Sequence, residues 1–95
     1  MSSKDNKNQC KLKIKNQRGL HARASAKFVA TAIKFNAKVT VSKDGSTVCG
    51  TSIMGLMMLA AGLGDEILLK VEGAQKTALL SALILLVEDK FNEKN

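Results

Sequence analysis

The chain has 95 residues, 45% of them hydrophobic, and 15 Lys and Arg against 8 Asp and Glu give a formal net charge of +7. That length fits one domain near the lower limit for burying a core unaided, so a single domain over 1-95 with residues 1-9 frayed is expected. With no Pro, Trp or Tyr and only three Phe, the core must be aliphatic, and the best residues for stacking on single-stranded nucleic acid are missing. Cys10 and Cys49 are too few and too isolated for a disulfide framework or a zinc site, and they read as two buried, reduced thiols of a cytosolic protein. Met1 to Gln9 has no signal-peptide core, and the longest apolar stretch, Ala78 to Val87, is about half of a membrane span.

Along the chain, Cys10 to Lys15 alternates apolar residues with Lys, the pattern of a strand with one buried and one cationic face. Gly19 turns the chain. From Ala22 to about Lys34 the period becomes helical, and Ala26, Val29, Ala30 and Ile33 are expected to face the core. Ala37 to Ser42 alternates again, and Lys43-Asp44-Gly45 signals a hairpin into Ser46 to Cys49. Ser52 to Ala60 is a short apolar helix that Gly62 and Gly64 should end. Glu66 to Glu72 is a fourth strand with Ile67, Leu69 and Val71 on one face. The last element, about Ala74 to Phe91, is a long amphipathic helix. The order β-α-β-β-α-β-α, with strands wet on one side, predicts an α+β open-faced sandwich: an antiparallel sheet with three helices on one face.

His21 is the only histidine, and it falls where the first turn becomes the first helix, in Arg18-Gly19-Leu20-His21-Ala22-Arg23. A lone His there has a plain reading as a capping or surface residue. Three features point further. A helix start presents unpaired N–H groups and partial positive charge. Arg18 and Arg23 add cationic forks suited to phosphate, although the helix dipole disfavours cations at that end by about 0.3–1 kcal/mol unless an anion binds. A neutral imidazole attacks through its own lone pair and needs no general base. Phosphoryl transfer asks chiefly for positioning and for cations around the moving group. No carboxylate pair, Ser/His/Asp set, Gly-rich phosphate loop or metal cluster is recognisable, so hydrolase, kinase and nucleotide-binding readings have no support and no cofactor is implied.

At these residues the chain resembles the HPr family of histidine phosphocarriers of the bacterial phosphotransferase system. Gly19-Leu20-His21-Ala22-Arg23 is similar to that family's active-site motif, and Ser52-Ile53-Met54-Gly55-Leu56-Met57 to its second signature. The likeness runs from about Cys10 to Phe91. It implies sheet order 1-4-2-3, with Cys10 and Cys49 on opposite edges. It also implies a carrier rather than a stand-alone enzyme: His21 phosphorylated on Nδ1 by enzyme I, Arg23 steadying the phosphate, and transfer to a IIA protein. Ala22 and Arg18, at the same helix start, are expected from their position to help stabilise the phosphate. Ala24 stands where most members have Pro, and Arg18 where many have a small polar residue. The His-Ala-Arg-Ala-Ser form resembles the nitrogen-related branch, which favours a regulatory relay over sugar import.

Ser52 should cap the short apolar helix, a bond worth about 1 kcal/mol. By resemblance it is also the target of an HPr kinase/phosphorylase, and phosphate there would add about −1.5 to −2 charge. The helix is apolar nearly all round. Ile53, Leu56 and Leu59 are expected in the core, while Met54 and Met57 form an adaptable exposed patch. The resemblance assigns Ile53, Met54, Met57 and Lys27 to partner docking. The expectation is a cytoplasmic monomer that binds neither membrane nor nucleic acid. Two other classes remain open: a basic nucleic-acid-binding module, and an interaction protein without phosphotransfer.

Overall fold

The computed structural model describes residues 8–94. The expected fraying concerns positions 1–7, which lie outside the described residues, and Gln9, which already opens a strand. The elements are β1 (Gln9–Lys13), α1 (Ala22–Ala32), β2 (Lys38–Lys43), β3 (Ser46–Cys49), α2 (Ile53–Met58), β4 (Glu66–Glu72) and α3 (Lys76–Glu88), then one tight turn, Lys90–Asn92. All strand pairs are antiparallel and the order is β1-β4-β2-β3, which is the α+β architecture expected from the sequence.

Register follows from the alternation. Leu12 lies opposite Ile67, Val41 opposite Leu69 and Val39 opposite Val71, so all six reach the buried face together. Lys11, Lys13, Lys38 and Lys70 stay exposed on the other face. There Lys38 is matched to Glu72 and Lys13 to Glu66 across the strands, which breaks up the cationic stripe. The β2–β3 hairpin closes through Asp44 and Gly45, both at positive φ (49° and 86°), as a two-residue turn of this twist demands.

Several expectations need correction. The buried stripe of α1 is Ala24, Ser25, Phe28 and Ala32. Of the residues expected there, Ala26 and Ala30 are exposed, Val29 is half-buried and Ile33 is 67% exposed. Phe28 decides the rotation, because its ring is the largest side chain on the helix and is wholly buried. Ser25 can join it because its hydroxyl donates to the Leu20 carbonyl at 3.1 Å, which satisfies a group that burial would otherwise penalise. Cys10 is half-buried and Cys49 exposed, since both lie on edge strands. Helix α2 stops before Gly62 because Ala60 itself turns left-handed, at φ 54°.

Helix α3 ends at Glu88, and Phe91 does not extend it. Lys90, Phe91 and Asn92 all take positive φ (57°, 56° and 64°), a conformation disfavoured by about 1–2 kcal/mol per residue for L side chains. Phe91 is fully buried, and the Lys27 ammonium donates to its carbonyl at 2.6 Å. Core burial and that bond hold the turn. Lys90 occupies the place after a helix end where glycine is favoured, so Lys90→Gly is expected to raise the unfolding free energy by about 0.5–1 kcal/mol, as read by urea denaturation. A loss of that size would contradict the left-handed turn.

Candidate functional site

The stretch from β1 to α1 is pinned to the loop between α2 and β4. Ile14 donates its N–H to the Asp65 carbonyl and accepts from Gly64, both at 2.8 Å, and Leu20 donates to the Ala61 carbonyl at 2.9 Å. Between them Gly19 sits at φ 66°, so close to its neighbour that an added Cβ would lie 2.2 Å from the Ala61 carbonyl oxygen. Only glycine meets both conditions. This fixes His21 at the N-cap of α1, in extended conformation (φ −75°, ψ −177°), with its carbonyl accepting from the Ser25 N–H at 2.9 Å.

The imidazole is 22% exposed and engaged at both nitrogens. Nδ1 faces the Arg23 backbone N–H at 3.3 Å, so His21 caps the helix through its ring. Nε2 lies 2.6 Å from the Glu93 carboxylate Oε2. The other carboxylate oxygen accepts from Asn16 Nδ2 at 3.1 Å, and the same amide donates to the Gly19 carbonyl at 2.9 Å. Burial alone pushes the Glu93 carboxyl up, but hydrogen bonds from His21 and Asn16, with the Lys27 cation nearby, outweigh it and hold the group below the ordinary carboxylate range.

Around the ring, Arg18 and Arg23 are exposed and share a cleft of about 310 Å³ with Gln17, Glu93 and Lys94. Ala22 is the first helical residue, and among the described residues its amide makes no hydrogen bond. Lys27, expected at the docking rim, spends its ammonium on the Phe91 carbonyl. Ser52 caps α2 as expected, its hydroxyl accepting from the Gly55 N–H at 2.9 Å. In α2, Leu56 and the following Leu59 are buried, whereas Ile53, expected in the core, joins Met54, Met57 and Met58 on an exposed apolar surface. Among the described residues no cluster could hold a metal ion, and no helix is long and apolar enough to cross a membrane.

Two residues of this hydrogen-bonded cluster around His21 escaped the sequence reading. Asn16 left a trace: it continues the Cys10-Leu12-Ile14 alternation, a polar residue in the buried phase, and it is fully buried. Glu93 left none, since it arrives through the left-handed turn after α3.

The residues 8–89 match the family described as "PTS HPr component phosphorylation site". Fold and match together define a small phosphoryl-group carrier, not a stand-alone enzyme. The chain belongs to the HPr family, the phosphocarriers of the phosphotransferase system. It is 49% identical over 82 residues to the phosphocarrier protein HPr of Neisseria meningitidis serogroup A, covering 86% of this chain and 92% of that protein. The HPr of Cupriavidus necator is 44% identical over 80 residues, covering 84% and 90%. The crystal structure of HPr-C-His from Thermoanaerobacter tengcongensis superposes with a TM-score of 0.87 at 41% identity, covering 92% of this chain and 98% of that one.

Because Gly19 combines positive φ with backbone contact, Gly19→Ala is expected to cost about 2–3 kcal/mol of stability. Urea denaturation measures it, and a loss below about 0.5 kcal/mol would show that the loop does not need this contact.

Proposed function

We propose that His21 is the residue on which this phosphocarrier holds its phosphoryl group, with Nδ1 as the attacking atom. The observation that carries this is the ring's place at the N-cap of α1, with Nδ1 turned to the first-turn amide of Arg23 and two arginines beside the adjoining cleft. The Nδ1 lone pair forms the new P–N bond, and the bond from phosphorus to the donor's leaving atom breaks with its electron pair staying on the donor. The arriving oxygens take over the Arg23 N–H and the free Ala22 N–H, while the Arg23 and Arg18 guanidiniums meet the charge at the rim. Positioning and cations suffice for a loose transition state.

The donor in this reading is enzyme I, charged from phosphoenolpyruvate, and the acceptor a IIA protein. The relay runs in the cytoplasm, with the carrier as a monomer. Ala24 and the His-Ala-Arg-Ala-Ser form favour a regulatory relay of the nitrogen type over sugar import. Incubation with phosphoenolpyruvate and a cognate enzyme I, followed by intact-mass measurement, should show one acid-labile phosphate, absent in His21→Ala. Arg23→Ala should slow uptake by about 10²-fold. No adduct on the wild-type chain, or an adduct that survives in His21→Ala, would overturn the assignment.

Docking falls to the exposed surface of α2, where Met54 is 70% and Met57 44% exposed and flexible thioethers can fit more than one partner. Ser52, half-buried at the edge of this surface, is the place where an HPr kinase/phosphorylase would act, and phosphate there would set negative charge against the docking face. Met54→Glu and Ser52→Asp are each expected to raise the KM for enzyme I several-fold with the fold intact, as read by phosphate uptake and circular dichroism. Unchanged uptake in both would move the docking surface elsewhere.

A further inference from the structure

We propose that Glu93 is a positioning residue for phosphoryl acceptance: its carboxylate holds the His21 proton on Nε2 and so leaves the Nδ1 lone pair free to attack. This deepens the reading of His21 as acceptor and rests on it.

Two contacts, on opposite sides of the ring, specify the same tautomer. An ionised carboxylate only accepts hydrogen bonds, so the 2.6 Å approach of Oε2 to Nε2 requires the proton on Nε2. The Arg23 backbone N–H only donates, so its approach to Nδ1 at 3.3 Å requires a lone pair there. A neutral imidazole carries one proton, and this arrangement satisfies both partners at once. The opposite tautomer would set N–H against N–H at one end and lone pair against carboxylate at the other. Glu93 is held ionised by the bonds that depress its carboxyl.

The carboxylate is itself oriented. Asn16, fully buried, donates through Nδ2 to both the Gly19 carbonyl and Glu93 Oε1. Turning its amide over would point an oxygen at two acceptors, so the amide keeps its orientation although Oδ1 is then buried without a partner among the described residues. On the chain side, Glu93 is delivered by three successive left-handed residues, with Phe91 plugged into the core and tied to Lys27. Backbone strain of this kind gathers where a side chain has to be aimed. Residue 93 lies beyond the span 8–89 matched by the family, so its role comes from this contact alone.

The chemistry follows. As Nδ1 gives its electron pair to phosphorus, positive charge spreads over the ring. The proton stays on Nε2, and the carboxylate faces the growing charge from the nitrogen away from the phosphoryl group. Return of the group reverses each movement, with the electron pair falling back to Nδ1.

His21 is the only histidine, so a long-range ¹⁵N–¹H correlation spectrum of the imidazole reports its tautomer without overlap. The wild-type chain should show the Nε2–H form. In Glu93→Gln, the Asn16 amide claims the Gln oxygen and leaves the Gln NH2 group facing Nε2, so the Nδ1–H population should rise several-fold. Phosphate uptake from enzyme I should fall by about tenfold or more in kcat with KM little changed, and Glu93→Ala should lose rate in the same way. If Glu93→Gln keeps the wild-type tautomer, or shifts it without loss of kcat, the positioning role is wrong while the carrier reading stands. If the wild-type chain takes no phosphate, both fall together.

Discussion

One imidazole is held by both of its nitrogens, and the remaining structure serves that grip. The backbone N–H of Arg23 reaches Nδ1 and the carboxylate of Glu93 reaches Nε2, so the ring can neither turn over nor sink into the core. The grip depends on a joint between distant parts of the chain. Gly19 lets the turn after β1 press against the Ala61 carbonyl, and the left-handed turn after α3 carries Glu93 across to meet it.

The sheet explains why this joint can be built in so short a chain. The order β1-β4-β2-β3 sets β4 beside β1, so the loop entering β4 lies against the turn leaving β1. The site then sits where α1 starts, with α2 packed nearby and its apolar surface turned outward. A carrier has little covalent chemistry to perform beyond offering a nucleophile and a cationic landing place. In the role proposed for His21, a pinned ring, a helix start and two arginines meet that demand.

Much of this was legible in the sequence because the signals were periodic. Period-two runs marked β1, β2 and β4, and their phases put Leu12, Val41 and Leu69 on the correct face. Asp44-Gly45 marked the hairpin, and Ser52 the cap of α2. The helical face of α1 was misjudged because small residues such as Ala26 and Ala30 carry little orienting weight, while the single ring of Phe28 and the back-bonded Ser25 decide the packing. Asn16 was visible only as a polar residue out of phase. Glu93 was not visible at all: its place depends on Phe91 leaving the helix for the core by a left-handed turn, and no local pattern encodes that. Cys49 was expected inside, yet an edge strand leaves its thiol outside.

The claim beneath the account is that the ring is gripped so as to present Nδ1 to phosphorus. Phosphorylating ¹⁵N-labelled protein and measuring the one-bond coupling between ³¹P and the imidazole nitrogens tests it most directly. The account predicts coupling to the Nδ1 resonance of His21. Coupling to Nε2, or phosphorus attached to any other residue, would contradict it.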